Sequence, residues 1–385
     1  MIPYGRQDIS SSDVEAVVEV LRSDFLTQGP MVPRFEETLA RAVDAPEAVA
    51  FSSATAALHV ACLALGLGPA DRLWTVPNTF VASANCGLYC GATVDFVDIN
   101  AKTRNMDVEA LAAKLEAAER NGTLPKVVVP VDFAGTSADL ASIRRLADRY
   151  GFRILEDASH AVGGYYQNRP VGSSELADVT VFSFHPVKIV TTGEGGAATT
   201  RSAEIAHRMR LLRNHGISRD PADMTAVPEG PWYYEQVMLG FNYRMTDIQA
   251  ALGVRQFDRL AEFVARRQAI AARYHEGLAG LPVIRQFVPE GTLSALHLYV
   301  IELDETVRRT RAEVFAAMRS SGVGVNVHYI PVHLQPWYRA LGFSRGDFPA
   351  SEKYYDHALT LPIHPNLSAE QQDYVMERLS HALES

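Results

Sequence analysis

The chain has 385 residues, of which 47% are hydrophobic and 21% are charged, and its formal net charge at pH 7 is −9. This length exceeds that of one simple core and predicts two domains of a globular protein. The negative charge and the lack of a basic run argue against nucleic acid as a partner. The N-terminus has no apolar secretory segment and no stretch is long enough to span a bilayer, so we expect a cytoplasmic protein without membrane association.

A helix is the first predicted element. Ser12 and Glu15 have the spacing of a capping box, and apolar residues then recur at helical spacing until the pattern stops at Ser23. A glycine–proline pair marks residues 25–30 as a loop. A second helix is predicted to begin near Pro33.

Short apolar strands alternate with helical patterns between residues 47 and 200. Such alternation implies crossover connections and a mostly parallel sheet that is buried on both faces. The predicted strands are 48–51, 73–76, 94–97, 127–131, 153–156 and 179–182, and helices are predicted at 55–65 and 138–150. Ligands of these sheets gather at the carboxyl ends of the strands, which is where function is to be sought.

The rest of the chain is predicted to form a smaller domain. Residues 1–255 make up the large domain, and residues 256–385 make up a C-terminal α/β domain. The elements predicted in the smaller domain are helices at 258–278 and 311–320 and strands near 298–303 and 324–328. Before it, residues 220–234 are rich in Pro, Gly, Trp and Tyr and predict a long loop, which either covers a ligand or packs at a dimer contact.

Two strand ends carry residues suited to an anion and to a ring. Ser53, Ala54 and Thr55 open a helix after the first strand, where free N–H groups bind anions, although the same residues fit an ordinary N-cap. Phe80 follows the second strand and offers an aromatic plate, or else belongs to the core.

Two later strand ends carry charges. Asp157 directly follows an apolar strand, so it needs a cationic partner such as a protonated pyridine nitrogen, unless it caps a helix. Lys188 lies behind His185 and Pro186 after another apolar strand, and is otherwise a surface lysine. Burial at that place would lower its pKa to the range in which the amine is a nucleophile and forms a Schiff base with an aldehyde cofactor.

An anion site, an aromatic plate, a buried acid and an isolated lysine are together the parts that hold pyridoxal phosphate. The sequence therefore predicts this cofactor. No metal site is predicted, because Cys86 and Cys90 lie one helical turn apart without further ligands at metal spacing and are expected to be buried, reduced thiols.

Five segments spread over the chain form a specific combination: SATAAL (53–58), EDASH (156–160), FSFHPVK (182–188), GEGG (193–196) and GFNYRM (240–245). By these segments the chain resembles, nearly end to end, the sugar-nucleotide aminotransferases of fold type I, the DegT/DnrJ/EryC1/StrS family. A few relatives have histidine in place of the lysine and act as dehydratases, so Lys188 indicates an aminotransferase. The implied α/β fold is that of fold type I pyridoxal-phosphate transferases, with a mostly parallel sheet of seven-stranded type in the large domain.

The resemblance also implies roles for single residues. Lys188 would form the Schiff base and act as general base, Asp157 would pair with the pyridine nitrogen, and His160 would lie near the ring hydroxyl. The implied cofactor-binding residues are Ser53, Ala54, Thr55, Phe80, Asp157, His160, Ser183, Lys188 and Asn242. Asn242 would reach the phosphate of the neighbouring subunit, which implies a homodimer with a shared active site.

Within the family, the segments 2–7, 24–30 and 326–329 are similar to those of enzymes that aminate UDP-sugars for pseudaminic acid synthesis. The implied substrate contacts are Tyr4, Asp24, Phe25, Leu26, Thr27, Asn326, Val327, His328 and Tyr329. The implied reaction uses L-glutamate to aminate UDP-2-acetamido-2,6-dideoxy-β-L-arabino-hexos-4-ulose, and it yields the 4-amino sugar and 2-oxoglutarate.

Three alternatives stay open at the level of sequence. The sugar could be another nucleotide-linked keto sugar, of the UDP-bacillosamine type or linked to dTDP or GDP. The chain could instead be a different pyridoxal-phosphate enzyme, such as an amino-acid lyase, or a non-catalytic regulatory protein. Arg213, His215 and Glu194 could serve the site, or they could belong to a helix end and a solvated turn.

Overall fold

The computed structural model describes residues 1–384 of the chain. In chain order, the elements of the first half are α1 (Ser11–Leu21), α2 (Met31–Ala42), β1 (Glu47–Phe51), α3 (Ala54–Ala64), β2 (Arg72–Thr75), α4 (Ala82–Tyr89), β3 (Thr93–Phe96), α5 (Val108–Asn121), β4 (Val127–Val129), α6 (Leu140–Tyr150), β5 (Arg153–Asp157), β6 (Tyr165–Tyr166), β7 (Arg169–Pro170), β8 (Val179–Ser183) and β9 (Gly196–Thr200). The later elements are α7 (Ala203–Arg213), β10 (Ile217–Ser218), β11 (Glu235–Gln236), α8 (Asp247–Asp258), α9 (Leu260–Gly277), β12 (Val283–Arg285), β13 (Thr292–Leu293), β14 (Tyr299–Leu303), α10 (Arg311–Ser320), α11 (Pro336–Arg339), α12 (Pro349–His357), β15 (Ala358–Leu361) and α13 (Ala369–Glu384).

The central sheet has seven strands in the order β1-β9-β8-β5-β4-β2-β3. β9 pairs antiparallel with β1 and β8, whereas the pairs from β8 through β5, β4 and β2 to β3 are parallel. The predicted mostly parallel sheet of seven-stranded type is therefore confirmed. The prediction lacked β9, because its first residues are small and give little strand signal.

Helices cover both faces of this sheet, which explains why β8 and β9 are buried along their whole length. One core cluster joins α3, α4 and α7 to one face, and a second joins α5 and α6 to the other. A separate antiparallel sheet, β12-β14-β15, has its own core with α9, α10 and α13. Among residues 1–384, no helix combines the length and apolar composition that crossing a bilayer requires.

The capping box of α1 differs from the predicted one. The box is formed by Ser10 and Asp13, with Ser10 Oγ accepting the Asp13 N–H and the Asp13 carboxylate accepting the Ser10 N–H. Asp13 is fully buried and also accepts a hydrogen bond from Gln256 of α8 at 2.8 Å. This contact with α8 favours Asp13 as the acidic member of the capping box. The predicted pairing of Ser12 with Glu15 is therefore wrong.

The helix predicted at 258–278 is confirmed as α9, Leu260–Gly277. Another helix, α8, precedes it, and the two are separated at Arg259, where φ is −107° and ψ is 6°. The strand predicted at 324–328 is wrong. Only an isolated bridge between Asn326 and Thr360 lies there, and residues 326–329 instead line a cavity.

Candidate active site

A cavity of about 520 Å³ lies at the carboxyl ends of β1, β2, β5 and β8. The predicted site residues in its wall are Tyr4, Ser53, Ala54, Thr55, Phe80, Asp157, His160, Ser183, Lys188, Asn326, Val327, His328 and Tyr329. Parallel strands end at the same edge of a sheet, and this topology brings residues from distant parts of the chain together.

The N-terminus of α3 forms one end of the cavity. Ser53 is its N-cap, and the hydroxyl of Ser53 accepts the Ala56 N–H at 3.1 Å. The preceding N–H groups, of Ala54 and Thr55, have no acceptor within the helix and lie at the cavity wall, so they are available to an anion. A Cβ on Gly196 of β9 would lie 2.3 Å from Ala54 N, so the close approach of β9 requires glycine.

Lys188 lies in a closed loop between β8 and β9. Hydrogen bonds of 3.0 Å from Phe184 N to Gly195 O and from Thr192 N to Phe184 O close this loop and place Lys188 in the cavity wall. Burial lowers the pKa of the Lys188 amine to about 8, and the negative charge of Asp157 opposes part of that shift. An amine with this pKa is partly neutral near pH 7 and can act as nucleophile and base.

Asp157 ends β5 and is only 4% exposed. Its carboxylate accepts hydrogen bonds from Ser83 Oγ at 2.6 Å, Ser159 Oγ at 2.5 Å and Ser159 N at 3.1 Å. These donors fix the orientation of the carboxylate at the cavity wall. Sequence reasoning missed Ser83, because a serine in the first turn of a helix carries no signal of a contact with a distant strand.

His160 and Tyr329 form a hydrogen-bonded pair in the cavity wall. His160 Nδ1 accepts the backbone N–H of Ala134 at 3.3 Å, so the proton of the neutral ring lies on Nε2. Nε2 is 3.0 Å from the Tyr329 hydroxyl and donates to it. The proton of that hydroxyl is therefore left to donate to a ligand.

Two further histidines lie near Lys188. Burial, reinforced by the positive charge of Lys188, lowers the pKa of His328 to about 3 and holds the pKa of His297 well below its usual range. The ring centroid of His297 is 4.5 Å from that of His160. The sequence analysis missed His297, although a histidine inside the apolar run 295–301 is a signal, since a buried polar group needs a partner.

Pyridoxal phosphate fits these residues. The free N–H groups of α3 suit a phosphate, Asp157 suits a cationic ring nitrogen, and the Lys188 amine suits an aldehyde. Phe80 lines the cavity yet is 58% exposed, so its ring gains burial when a planar ligand stacks on it.

Five predicted residues do not line the cavity: Asp24, Phe25, Leu26, Thr27 and Asn242. All five are exposed. Thr27 pairs with Thr246 in an isolated bridge, and Leu26 O accepts the Asp247 N–H at 3.0 Å. Residues 24–27 and the segment that follows Asn242 therefore form one continuous surface.

The loop at 220–234 lies between β10 and β11, as predicted. Glu235 holds it by accepting the N–H groups of Thr225 and Ala226, each at 2.8 Å. None of its residues lines the cavity of the same chain. Its Trp232 and Tyr234 are exposed to solvent in the single chain.

Three residues of undecided role occupy different places. Arg213 donates to Ala50 O at 2.6 Å and forms an ion pair with Glu36, which is a structural contact. His215 is exposed and does not line the cavity. Glu194 lines the cavity, at its exposed edge.

A model of the DegT/DnrJ/EryC1/StrS aminotransferase family matches residues 7–380. The chain belongs to this family. The matched range includes all the strand ends that form the cavity.

Relatives of known sequence and structure agree with this membership. The chain is 40% identical over 98% of its length to the Bacillus subtilis spore coat polysaccharide biosynthesis protein SpsC, covering 95% of that protein. It is 34% identical over 100% of its length to the Campylobacter jejuni UDP-4-amino-4,6-dideoxy-N-acetyl-β-L-altrosamine transaminase, covering 98% of that protein. A putative sugar aminotransferase from Streptococcus pneumoniae, solved in its pyridoxal-phosphate form, superposes on this chain with a TM-score of 0.89 at 31% sequence identity. The superposition covers 100% of this chain and 98% of the Streptococcus pneumoniae chain.

Family and site together establish a sugar aminotransferase that uses pyridoxal phosphate. The fold of fold type I pyridoxal-phosphate transferases is confirmed by the same neighbours. Family membership implies a nucleotide-linked keto sugar and an amino donor as substrates. Among residues 1–384, no group of His, Cys, Asp and Glu side chains could hold a metal ion.

Proposed function

We propose that the chain transfers the amino group of L-glutamate to C4 of UDP-2-acetamido-2,6-dideoxy-β-L-arabino-hexos-4-ulose in pseudaminic acid synthesis. One observation carries this proposal: Tyr4 and residues 326–329, which bear the resemblance to the UDP-sugar enzymes, line the same cavity as Lys188. Tyr4 lies against His328, with ring centroids 5.4 Å apart. The 34% identity to the Campylobacter jejuni transaminase supports the same substrate.

The proposed roles follow from the positions of the side chains. Bound pyridoxal phosphate carries the amino group between substrates and takes up electrons from the reacting carbon. The N–H groups of Ala54 and Thr55 and the Ser183 hydroxyl would hold its phosphate, and Asp157 would keep its ring nitrogen protonated. Lys188 Nζ would take the proton from Cα of glutamate in the first half-reaction and would deliver a proton to C4 of the sugar in the second.

The bonds balance between the two half-reactions. Glutamate loses its amino group and a hydrogen from Cα and becomes 2-oxoglutarate. The sugar gains an amino group and a hydrogen at C4 in place of the keto oxygen, which leaves as water. A water molecule is consumed in the first half-reaction, so no further oxidant or reductant is needed.

We propose further that the site is shared by a homodimer. The exposed surface of residues 24–27 and Asn242 carries predicted site residues that the cavity of the same chain does not contain. A second copy whose cavity faces this surface would complete both sites at once, as a two-fold axis requires. Exposed Phe25 and Leu26 supply apolar area for such a contact.

A different nucleotide-linked keto sugar is the second candidate. The 40% identity to SpsC, whose name refers to spore coat polysaccharide, favours it. The two candidates share the glutamate half-reaction and differ only in the acceptor. The experiment must therefore separate donor chemistry from acceptor choice.

A single-turnover experiment makes this separation. The enzyme is loaded with pyridoxal phosphate, treated with glutamate, freed of excess amino acid and then mixed with the UDP-linked 4-keto sugar. We expect glutamate to bleach the visible band, and we expect the sugar to restore it with one 4-amino sugar formed per site. If glutamate bleaches the band and this sugar does not restore it, the acceptor is another keto sugar. A band that glutamate does not change would overturn the aminotransferase.

A further inference from the structure

Two more carboxyl groups lie buried behind Asp157. Asp132 follows β4 and is 0% exposed, and Glu156 of β5 is 1% exposed. Asp132 Oδ1 accepts the Ala138 N–H at 2.9 Å, and Glu156 Oε2 accepts the Thr180 hydroxyl at 2.6 Å. The other oxygen of each group has no donor.

Val131 bridges Asp157 in parallel, so Asp132 and Glu156, each one residue from that bridge, lie on neighbouring segments and on the same face of the sheet. Among residues 1–384, no Lys, Arg or His forms an ion pair with either carboxyl group. Two buried carboxylates in contact would repel each other, and each would leave one oxygen unpaired. One proton between them removes the repulsion and gives both free oxygens a partner. We propose that Asp132 and Glu156 share one proton, and that this carboxyl pair positions the end of β5 and the loop after β4.

The surroundings of the pair agree with a retained proton. Burial, and then the neighbouring Glu156, raise the pKa of Asp132 well above its usual range. Burial also raises the pKa of Glu156, and the negative charge of Asp157 adds to both shifts. The oxygens of Asp157, in contrast, both accept hydrogen bonds from Ser83 or Ser159. The two unpartnered oxygens therefore belong to Asp132 and Glu156.

The other elements around the pair bring no free charge to it. β8 faces Glu156 with the Thr180 hydroxyl. The segment after β7 encloses a cavity of about 20 Å³ beside Glu156, together with Tyr166 and Arg169. Arg169 forms an ion pair with Glu175 and is half exposed.

The pair joins two segments that serve the site. Asp132 N donates to Asp157 O at 3.0 Å, and the loop that begins at Asp132 carries Ala134, whose N–H fixes the tautomer of His160. A proton between Asp132 and Glu156 ties that loop to β5 by its side chains as well. Neither Asp132 nor Glu156 lines the cavity, so their role is to position residues that do.

Infrared spectroscopy tests the shared proton directly. The holoenzyme and its Asp132→Asn and Glu156→Gln variants are compared, since either amide can donate to the remaining carboxylate without a proton. We expect both variants to lose the carbonyl stretch of one protonated carboxylic acid. Asp98→Asn is the matched control, because Asp98 lies outside the pair and each of its oxygens accepts a backbone N–H, from Ala350 or Ser351.

The pH dependence of unfolding gives a second, independent count of the protons that the pair holds. The folded wild type holds one proton more than the unfolded chain near neutral pH, so its unfolding constant rises an extra factor of about ten per pH unit. Asp132→Asn removes that factor. Asp132→Ala leaves the Glu156 charge without its partner and is expected to unfold more readily, and the asparagine variant should rescue it.

Two results would overturn the proposal. One is an infrared spectrum in which neither amide variant loses a carboxylic acid band. The other is an unfolding constant that depends on pH in the same way in wild type and in Asp132→Asn. Neither measurement depends on which sugar or donor the enzyme uses. A failure of this proposal can therefore be distinguished from a failure of the proposed substrate.

Discussion

Lys188 and Asp157 lie in the wall of one cavity, at the ends of the adjacent strands β8 and β5, and the two groups interact through their charges. Burial lowers the pKa of Lys188 to about 8, and the Asp157 carboxylate keeps it from falling further. The site therefore holds an amine that is neutral in part of the molecules and charged in the rest at physiological pH. A residue that both donates and accepts protons needs such a balance.

Replacing Lys188 by alanine is expected to lower transamination by about 10³-fold or more, because the variant loses both the nucleophile and the base. Borohydride reduction followed by mass spectrometry should attach cofactor to wild type and not to the variant. Lys126→Ala is the control, since Lys126 is a surface residue paired with Asp71 at 2.9 Å. Turnover at the wild-type rate in Lys188→Ala would contradict the assignment.

Asp157→Asn is expected to lower the pKa of Lys188 below about 8, because it removes the negative charge that raises that pKa. The measurement is the rate at which Lys188 of the cofactor-free protein reacts with an amine reagent, followed against pH by mass spectrometry. Reaction should begin at lower pH in the variant. The matched control is Asp178→Asn, on a carboxylate paired with Arg153 outside the cavity. An unchanged profile would show that the two groups do not interact.

The buried histidines predict a loss of stability in acid. Folding lowers the pKa of His328 to about 3 and also lowers those of His160 and His297, so the unfolded chain binds more protons below its usual histidine pKa of about 6.5. The stability that these neutral histidines contribute is fully present above the histidine pKa of the unfolded chain. It is lost as the pH falls towards the lower pKa values of the folded protein. Each histidine should cost about 1.4 kcal/mol of unfolding free energy per pH unit in that window.

Denaturant unfolding at pH 7, 6 and 5 checks this prediction. His328→Gln should show a shallower fall in unfolding free energy than wild type, by about the slope of one proton. His215→Gln serves as the control, because His215 is exposed. Identical slopes in wild type and His328→Gln would contradict a neutral, buried His328.

Gly196→Ala is expected to weaken cofactor binding and to destabilise the fold by about 1–3 kcal/mol, because the new Cβ would force Ala54 and β9 apart. Cofactor titration by fluorescence and thermal unfolding measure the two effects. Gly280→Ala is the control, since a Cβ there meets nothing within 4 Å. An unchanged cofactor affinity in Gly196→Ala would show that the close approach of β9 is not needed for the anion site.

Mixed dimers test the shared site. Lys188→Ala and Asn242→Ala chains should each be impaired alone, whereas a mixed dimer contains one site with both native residues. Random mixing makes half of the dimers mixed, so about a quarter of the wild-type sites should recover. If the mixed dimers form and no activity is recovered, Asn242 does not belong to the partner's site.

Much of the site could be predicted because its parts are local in sequence. The strands β5 and β8 contain short apolar runs; Asp157 is the last residue of β5, and Lys188 lies in the loop that follows β8. Parallel strands end at one edge, so the pattern alone predicted that these residues meet. The combination of these parts predicted the cofactor, and the resemblance to the family then assigned roles to single residues.

The missed features depend on contacts between distant segments. Ser83 is 74 positions from Asp157, and Tyr329 is 169 positions from His160, so no local pattern links them. The capping box at Ser10 follows from a contact of Asp13 with α8 for the same reason.

The sequence by itself determined the order of strands and helices and identified Lys188 and Asp157 as site residues. It could do so because hydrophobic periodicity and strand ends are properties of neighbouring residues. Only the tertiary structure decided which residues lie at the cavity and which lie on the exposed surface with Asn242. It also decided the protonation of the buried groups. That depends on burial and on charges from other strands, which exist only once the chain has folded.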